Sequence, residues 1–212
     1  MDSLVFTQAD IDKILNSLEE HLNKPDKINN GYELETYKNF LYFFRNFSEI
    51  DFYALSISSN YVCGTIPTTF SINNREIFFA LRILNDKVLK NKELNDDDYL
   101  TLVRCMNNSI IATSKLLHLI RPGNYPVINS RIKNYFKLNN LLETVYKKTN
   151  SKEKEIQQYK LYRDICIKVI SNDRFTGRLD FLAFSKMAEP DNYTSFKILE
   201  ETFYYYSTNK IY

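Results

Sequence analysis

The chain has 212 residues, 28 Lys and Arg against 26 Asp and Glu, and a formal net charge of +2, which is enough sequence for one sizeable core. Its three cysteines, at 63, 105 and 166, show no CxxC spacing, which excludes the common zinc and iron–sulfur patterns and argues against a secreted disulfide framework. No apolar run approaches the roughly 20 residues of a membrane span and no leader-like stretch opens the chain, so a reducing cytoplasmic setting is expected.

In chain order, Thr7-Gln8-Ala9-Asp10 reads as a capping box, and Ile11, Ile14, Leu15, Leu18 and Leu22 follow on one helical stripe. After a loop over 24–31, Tyr32 to about Phe47 carries Leu34, Tyr37, Phe40, Leu41 and Phe44 at helical spacing, as a central helix would. A short helix near 49–56 precedes "SSNYVCGTIPTTFS", Ser58 to Ser71, whose β-branched and turn residues predict an ordered loop. Asn73 or Asn74 is placed to cap a helix through "REIFFALRILNDKVL".

Asn95 followed by Asp96, Asp97 and Asp98 is a helix start in which three acids complement the helix dipole, rather than a metal site. A second helix, about Ile111 to Ile120, follows after the polar turn Asn107-Asn108-Ser109-Ile110. Then come the turn Pro122-Gly123-Asn124, the apolar plug Tyr125-Pro126-Val127-Ile128, and a helix opening near Asn129. Segments 141–148, 152–170, 179–187 and 195–206 complete the helical pattern. With only 4 Gly and 5 Pro, and no strand ladder, the fold class is all-α. Two lobes are expected, 1–95 with the C-terminal helices and a hairpin lobe at 96–150, within one 1–212 unit.

The near-neutral total hides a strong asymmetry. Arg104 to Arg178 holds 15 basic and 5 acidic residues, whereas the remainder holds 13 and 21. Tyr99 to Leu142 contains Arg104, Lys115, Arg121, Arg131, Lys133 and Lys137 without one acid. A one-signed region in a near-neutral protein suits phosphate binding, so DNA is the expected partner. The Lys-rich 147–168 portion, interleaved with Glu153, Glu155 and Asp164, reads instead as a solvated surface.

The stretch "NNSIIATSKLLHLIRPGNYPVINSRI" resembles the helix-hairpin-helix DNA glycosylase superfamily. Ala112-Thr113-Ser114-Lys115-Leu116-Leu117 follows the hairpin position, and Tyr125 to Ile132 follows the family's catalytic element, P-[VI]-x-D-[ST]-[RH]-[VI]. The resemblance implies a monomeric, cofactor-free enzyme that binds duplex DNA, flips one nucleotide and hydrolyses its N-glycosidic bond. It implies catalytic roles at Asn129 and Lys115, DNA contacts from Asn107, Asn108, Ser109, Ser130, Arg131, Arg121 and Lys133, and base stacking by Tyr125 and, from the 58–71 segment, Tyr61 and Phe70.

Two departures stand out. The hairpin lacks the family's Gly-x-Gly, although Asn107-Asn108 tolerates left-handed dihedrals better than most residue pairs. The catalytic Asp falls on Asn129, whose amide carries no charge and cannot serve as a general base. A replacement carboxylate has to come from elsewhere, such as Asp164 or Asp180. The lyase lysine of bifunctional members aligns near Ile110 or Ile111 and not on Lys115, so a monofunctional hydrolase is expected. Lys115 is also open to a phosphate-contacting or snorkelling role. His118, among Leu116, Leu117, Leu119 and Ile120, reads as a satisfied core histidine.

The resemblance implies a damaged or modified base as substrate, with hypermodified phage bases in antiviral defence among the candidates. A non-catalytic DNA-binding module of the same fold and an all-α protein-interaction domain are the alternatives.

Overall fold

The computed structural model describes residues 6–23, 31–64, 72–177 and 194–209. Ten named helices follow one another: α1 Gln8–Leu22, α2 Gly31–Arg45, α3 Phe52–Gly64, α4 Ile77–Ile83, α5 Asp96–Cys105, α6 Ile110–Ile120, α7 Ser130–Leu138, α8 Glu143–Tyr146, α9 Lys152–Ile170 and α10 Ser195–Asn209. A further helical stretch occupies 173–177, and no strand occurs among the described residues. The protein is all-α, and none of its described helices is long and apolar enough to cross a membrane.

Local chemistry explains where the helices begin. Thr7 and Asp10 cap each other's backbone amides at the start of α1, with Asp10 N–H donating to Thr7 Oγ1 over 3.3 Å and Thr7 N–H to Asp10 Oδ2 over 3.0 Å. Asn95 and Asp98 repeat that reciprocal bond at α5, over 2.9 and 2.8 Å. Two of the three acids of that turn also make ion pairs: Asp98 holds Lys87 at 2.6 Å, and Asp96 holds Lys160 at 2.7 Å.

The buried apolar side chains form one contiguous cluster, running from Ile14 on α1 to Tyr206 on α10. At its centre α7 lies against α10: Tyr135 and Phe136 face Phe203, with ring centroids 4.6 and 5.7 Å away. Tyr135 donates its hydroxyl to Ser17 of α1 over 2.9 Å, so this aromatic layer fixes three helices. Leu18 and Leu15 of the α1 stripe are 1% exposed, as the periodicity requires. All three cysteines are buried free thiols.

Two expectations need correction. Residues 58–64 do not form a loop but complete α3, and 65–71 lie outside the described residues. Ser58 donates to the Ala54 carbonyl over 2.6 Å and Ser59 to the Met106 sulfur over 3.3 Å, so both hydroxyls are satisfied inside a helix. Burial of Val62 and Cys63 on the same helix outweighs their modest helix propensity. Likewise Asn73 bonds Arg75 N–H over 3.1 Å but does not cap α4, whose N-cap is Glu76 without a side-chain bond. The helix then widens into a π turn at Leu84–Val88. That turn places Asn85 where it accepts from Ile50 N–H at 2.7 Å and donates to Ile50 C=O at 2.9 Å. The predicted helix at 179–187 lies outside the described residues.

Candidate nucleic-acid interface

α5 and α6 are joined by a tight hairpin, Met106 to Ser109. Asn107 and Asn108 both adopt φ of 54°, the left-handed region that asparagine enters more readily than other non-glycine residues. Both are exposed, while Met106 and Ile110 on either side are buried, so the turn is pinned to the core by its flanks. Ser109 caps α6, accepting from Ala112 N–H over 3.1 Å. That cap takes the third amide of the helix. The amides ahead of it, at Ile110 and Ile111, are those that lack a partner within the helix, and helix starts hold anions through such amides.

The cations around this hairpin lie at one end of the molecule. Asp96, at the start of α5, pairs with Lys160 in the middle of α9, whereas the charge of Arg104, near the end of α5, reaches Glu153 in the first turn of α9. α5 therefore runs against α9, and the hairpin emerges beside the start of α9. Lys133 of α7 senses Glu155 and Lys152 of the same α9 turn, and burial lowers its pKa. Arg104 and Lys133 thus both lie near the first turn of α9, which carries Lys152 and Lys154 together with Glu153 and Glu155.

Asn129 is the N-cap of α7, with extended backbone at φ −151° and ψ 179°. Its Oδ1 accepts from Arg131 N–H and Ile132 N–H, each over 3.0 Å. The side chain is half-buried rather than sealed in the core. The acceptor half of the amide is thus engaged by its own helix, which leaves the Nδ2–H₂ donor as the half that could serve a ligand. A donor can hold a base carbonyl or a water oxygen; it cannot remove a proton from that water. α7 is also the poorer anion site, because its cap already takes two of its leading amides.

Behind Asn129 the plug is tied to α6. Ser114 Oγ accepts from Ile128 N–H over 3.2 Å, and Tyr159 donates its hydroxyl to the Pro126 carbonyl over 3.1 Å. His118 is fully enclosed between α2 and the plug. Its Nδ1 lies 2.7 Å from the Tyr125 carbonyl, which can only accept, so Nδ1 carries the proton and Nε2 accepts from the Tyr37 hydroxyl at 2.8 Å. Burial lowers its pKa to about 4, so the imidazole is neutral and structural.

Several expected contacts are placed differently by the fold. Tyr125 is 3% exposed, with the Arg163 guanidinium 5.1 Å from its ring centroid, and cannot stack on an extruded base. Tyr61 stacks on Phe40 at 4.0 Å within α2–α3 packing, and Phe70 lies outside the described residues. Arg121 has a structural role: its Nε donates to the Val88 carbonyl over 3.3 Å and its Nη2 to the Leu89 carbonyl, closing the end of the π turn. Arg131 remains exposed, with its guanidinium 4.0 Å over the Tyr204 ring, and Ser130 is exposed beside it.

One group escaped sequence reasoning. On α10, Lys197 holds Glu200 at 2.9 Å and Glu201 at 4.0 Å. Burial opposes ionisation of Glu200, but the charge of Lys197, with lesser help from Lys115, keeps its carboxyl below the usual range. Lys115 of α6 is thus close enough to Glu200 for its charge to favour the carboxylate, although the ion pair itself is made by Lys197. The available signal was the i, i+3 and i, i+4 spacing of Lys197, Glu200 and Glu201, which a helix surface makes commonplace.

No family model matches the chain, and no curated protein or solved structure matches it. The resemblance to helix-hairpin-helix glycosylases thus stands on the 104–132 residues themselves.

Proposed function

We propose that this protein binds duplex DNA through the α5–α6 hairpin and excises a base as a monofunctional N-glycosylase. The observation carrying the binding step is the left-handed pair Asn107 and Asn108, which turns the chain so that the α6 amides open beside a cation-rich end. Backbone amides hold a phosphate regardless of sequence, as an enzyme searching for one unusual base requires. Asn129 would then hydrogen-bond the flipped nucleotide or its water through Nδ2. Glu200, which Lys197 holds below the usual carboxylate range, is the carboxylate nominated to stabilise the positive sugar or to take the water's proton.

A second reading, a DNA-binding module without catalysis, is favoured by the engagement of Asn129 Oδ1 in capping and by the burial of Tyr125. One experiment separates them. Duplexes bearing uracil, oxidised, alkylated or hypermodified bases are incubated with the protein and treated with alkali to cleave abasic sites. Strand cleavage on one substrate, lost in Glu200→Gln with binding retained, is the expected result. Binding without cleavage on every substrate leaves the module, and absence of binding refutes both.

A further inference from the structure

A groove of about 490 Å³ lies between the 147–151 loop and the first three turns of α9. That volume falls in the roughly 300–1,000 Å³ range of small-ligand sites. Lys147, Lys148 and Lys154 stand around it, Thr149 lies on its wall, and Leu161 gives it an apolar floor. Lys147 meets Glu143 at 3.7 Å, an exposed and weak pairing, while no acid is paired with Lys148 or Lys154 among the described residues. The solvated-surface expectation for 147–168 therefore holds for part of the segment and misses a concave, cationic part of it.

The second observation is Gln158. This side chain lines the groove, is 6% exposed, and donates Nε2–H to the Lys147 carbonyl over 2.8 Å. Its Oε1 has no hydrogen-bond partner among the described residues. A buried acceptor left unpaired costs about 1–3 kcal/mol, so a donor entering the groove floor would relieve a standing penalty. Lysines at the rim call for an anion; the glutamine oxygen calls for an N–H or O–H on the same ligand; Leu161 calls for a flat apolar face.

We propose that this groove is a nucleotide-binding site, with the phosphate on Lys148 and Lys154 and a base N–H on Gln158 Oε1. This oxygen is buried in the free protein, so binding requires the groove lining to shift and expose it to the ligand. The same chemistry is carried by a nucleotide within a strand and by a free mononucleotide. Where the occupant is a strand, the inference rests on the proposed DNA binding and extends it beyond the hairpin.

Backbone amide shifts of the full-length protein, followed by NMR during addition of dAMP, a short oligodeoxyadenylate, its abasic counterpart or inorganic phosphate, test this. Shifts at Thr149, Lys154 and Gln158 with both adenylates are expected, and tighter binding of the oligonucleotide than of dAMP identifies the occupant as a strand. Equal binding identifies a free nucleotide. Lys148→Glu combined with Lys154→Glu should weaken adenylate binding at least 10-fold, and Gln158→Leu should abolish the preference for adenylate over the abasic strand. The charge-reversal variant alters exposed side chains only, so it reports on the site even if the Gln158 variant disturbs the loop. Equal shifts from the abasic strand or inorganic phosphate, or no shift in the groove, overturn the proposal. Shifts confined to 106–112 overturn the groove and leave the hairpin standing; shifts confined to the groove do the reverse.

Discussion

Replacement of Asn129 by alanine and by aspartate separates capping from chemistry. Alanine removes the acceptor of two 3.0 Å bonds, from the Arg131 and Ile132 amides, at the start of a helix packed on α10. Loss of an asparagine N-cap costs about 1 kcal/mol. For a chain of this length, that lowers the Tm by about 2–4 °C. Aspartate keeps the acceptor and adds a charge at the positive end of α7, a gain of about 0.3–1 kcal/mol at neutral pH. Paired thermal scans and base-release assays should therefore show Asn129→Ala less stable and inactive with DNA affinity retained, and Asn129→Asp at least as stable as the parent. An unchanged Tm in Asn129→Ala would refute the capping geometry. Undiminished base release in a folded Asn129→Ala would remove the residue from the chemistry.

Other outcomes follow from the same structure. At the hairpin, Asn107→Ala or Asn108→Ala forces a Cβ-bearing residue without a helpful side chain into φ near 54°, costing about 1 kcal/mol each, whereas glycine substitutions should be neutral in denaturant unfolding. Arg121→Ala should destabilise by about 1–3 kcal/mol through two lost carbonyl bonds while leaving DNA affinity intact; a large affinity loss would restore it as a phosphate contact. His118 has its folded pKa depressed to about 4 from 6.5, so the unfolded chain binds more protons between those values. Its contribution is complete above pH 6.5 and is lost as pH falls toward 4, by about 3 kcal/mol. His118→Phe should flatten that part of the stability profile relative to the parent, and an unchanged slope would show that the imidazole is not enclosed.

Much of the fold was legible because its signals are local. The capping pairs Thr7–Asp10 and Asn95–Asp98, the α1 stripe and the Asn-Asn hairpin each lie within a few residues of what they specify. Where partners come from far along the chain, sequence reasoning failed. Ser58 and Ser59 look like loop residues until Ala54 and Met106 are seen to accept their hydroxyls. Arg121 looks like a phosphate contact until the carbonyls of Val88 and Leu89, over thirty residues earlier, are found to receive it. Tyr125 follows a turn and reads as accessible, yet Arg163 from α9 covers it. Charge counts found the basic half of the chain but not which cations the fold neutralises: Arg163 serves Glu93, and Arg174 serves Asp12 and Glu19. The charge of Lys115 on α6 reaches Glu200 on α10, a proximity no local pattern encodes.

The affinity of the protein for a plain DNA duplex at two salt concentrations bears most directly on the claim that the hairpin end holds phosphates. With Arg104, Arg131 and Lys133 as three phosphate contacts, raising salt from about 50 to about 200 mM should weaken binding roughly 40-fold, and Asn108→Asp should weaken it at both. Absence of binding at the lower salt, or binding indifferent to salt and to the hairpin substitution, would contradict it.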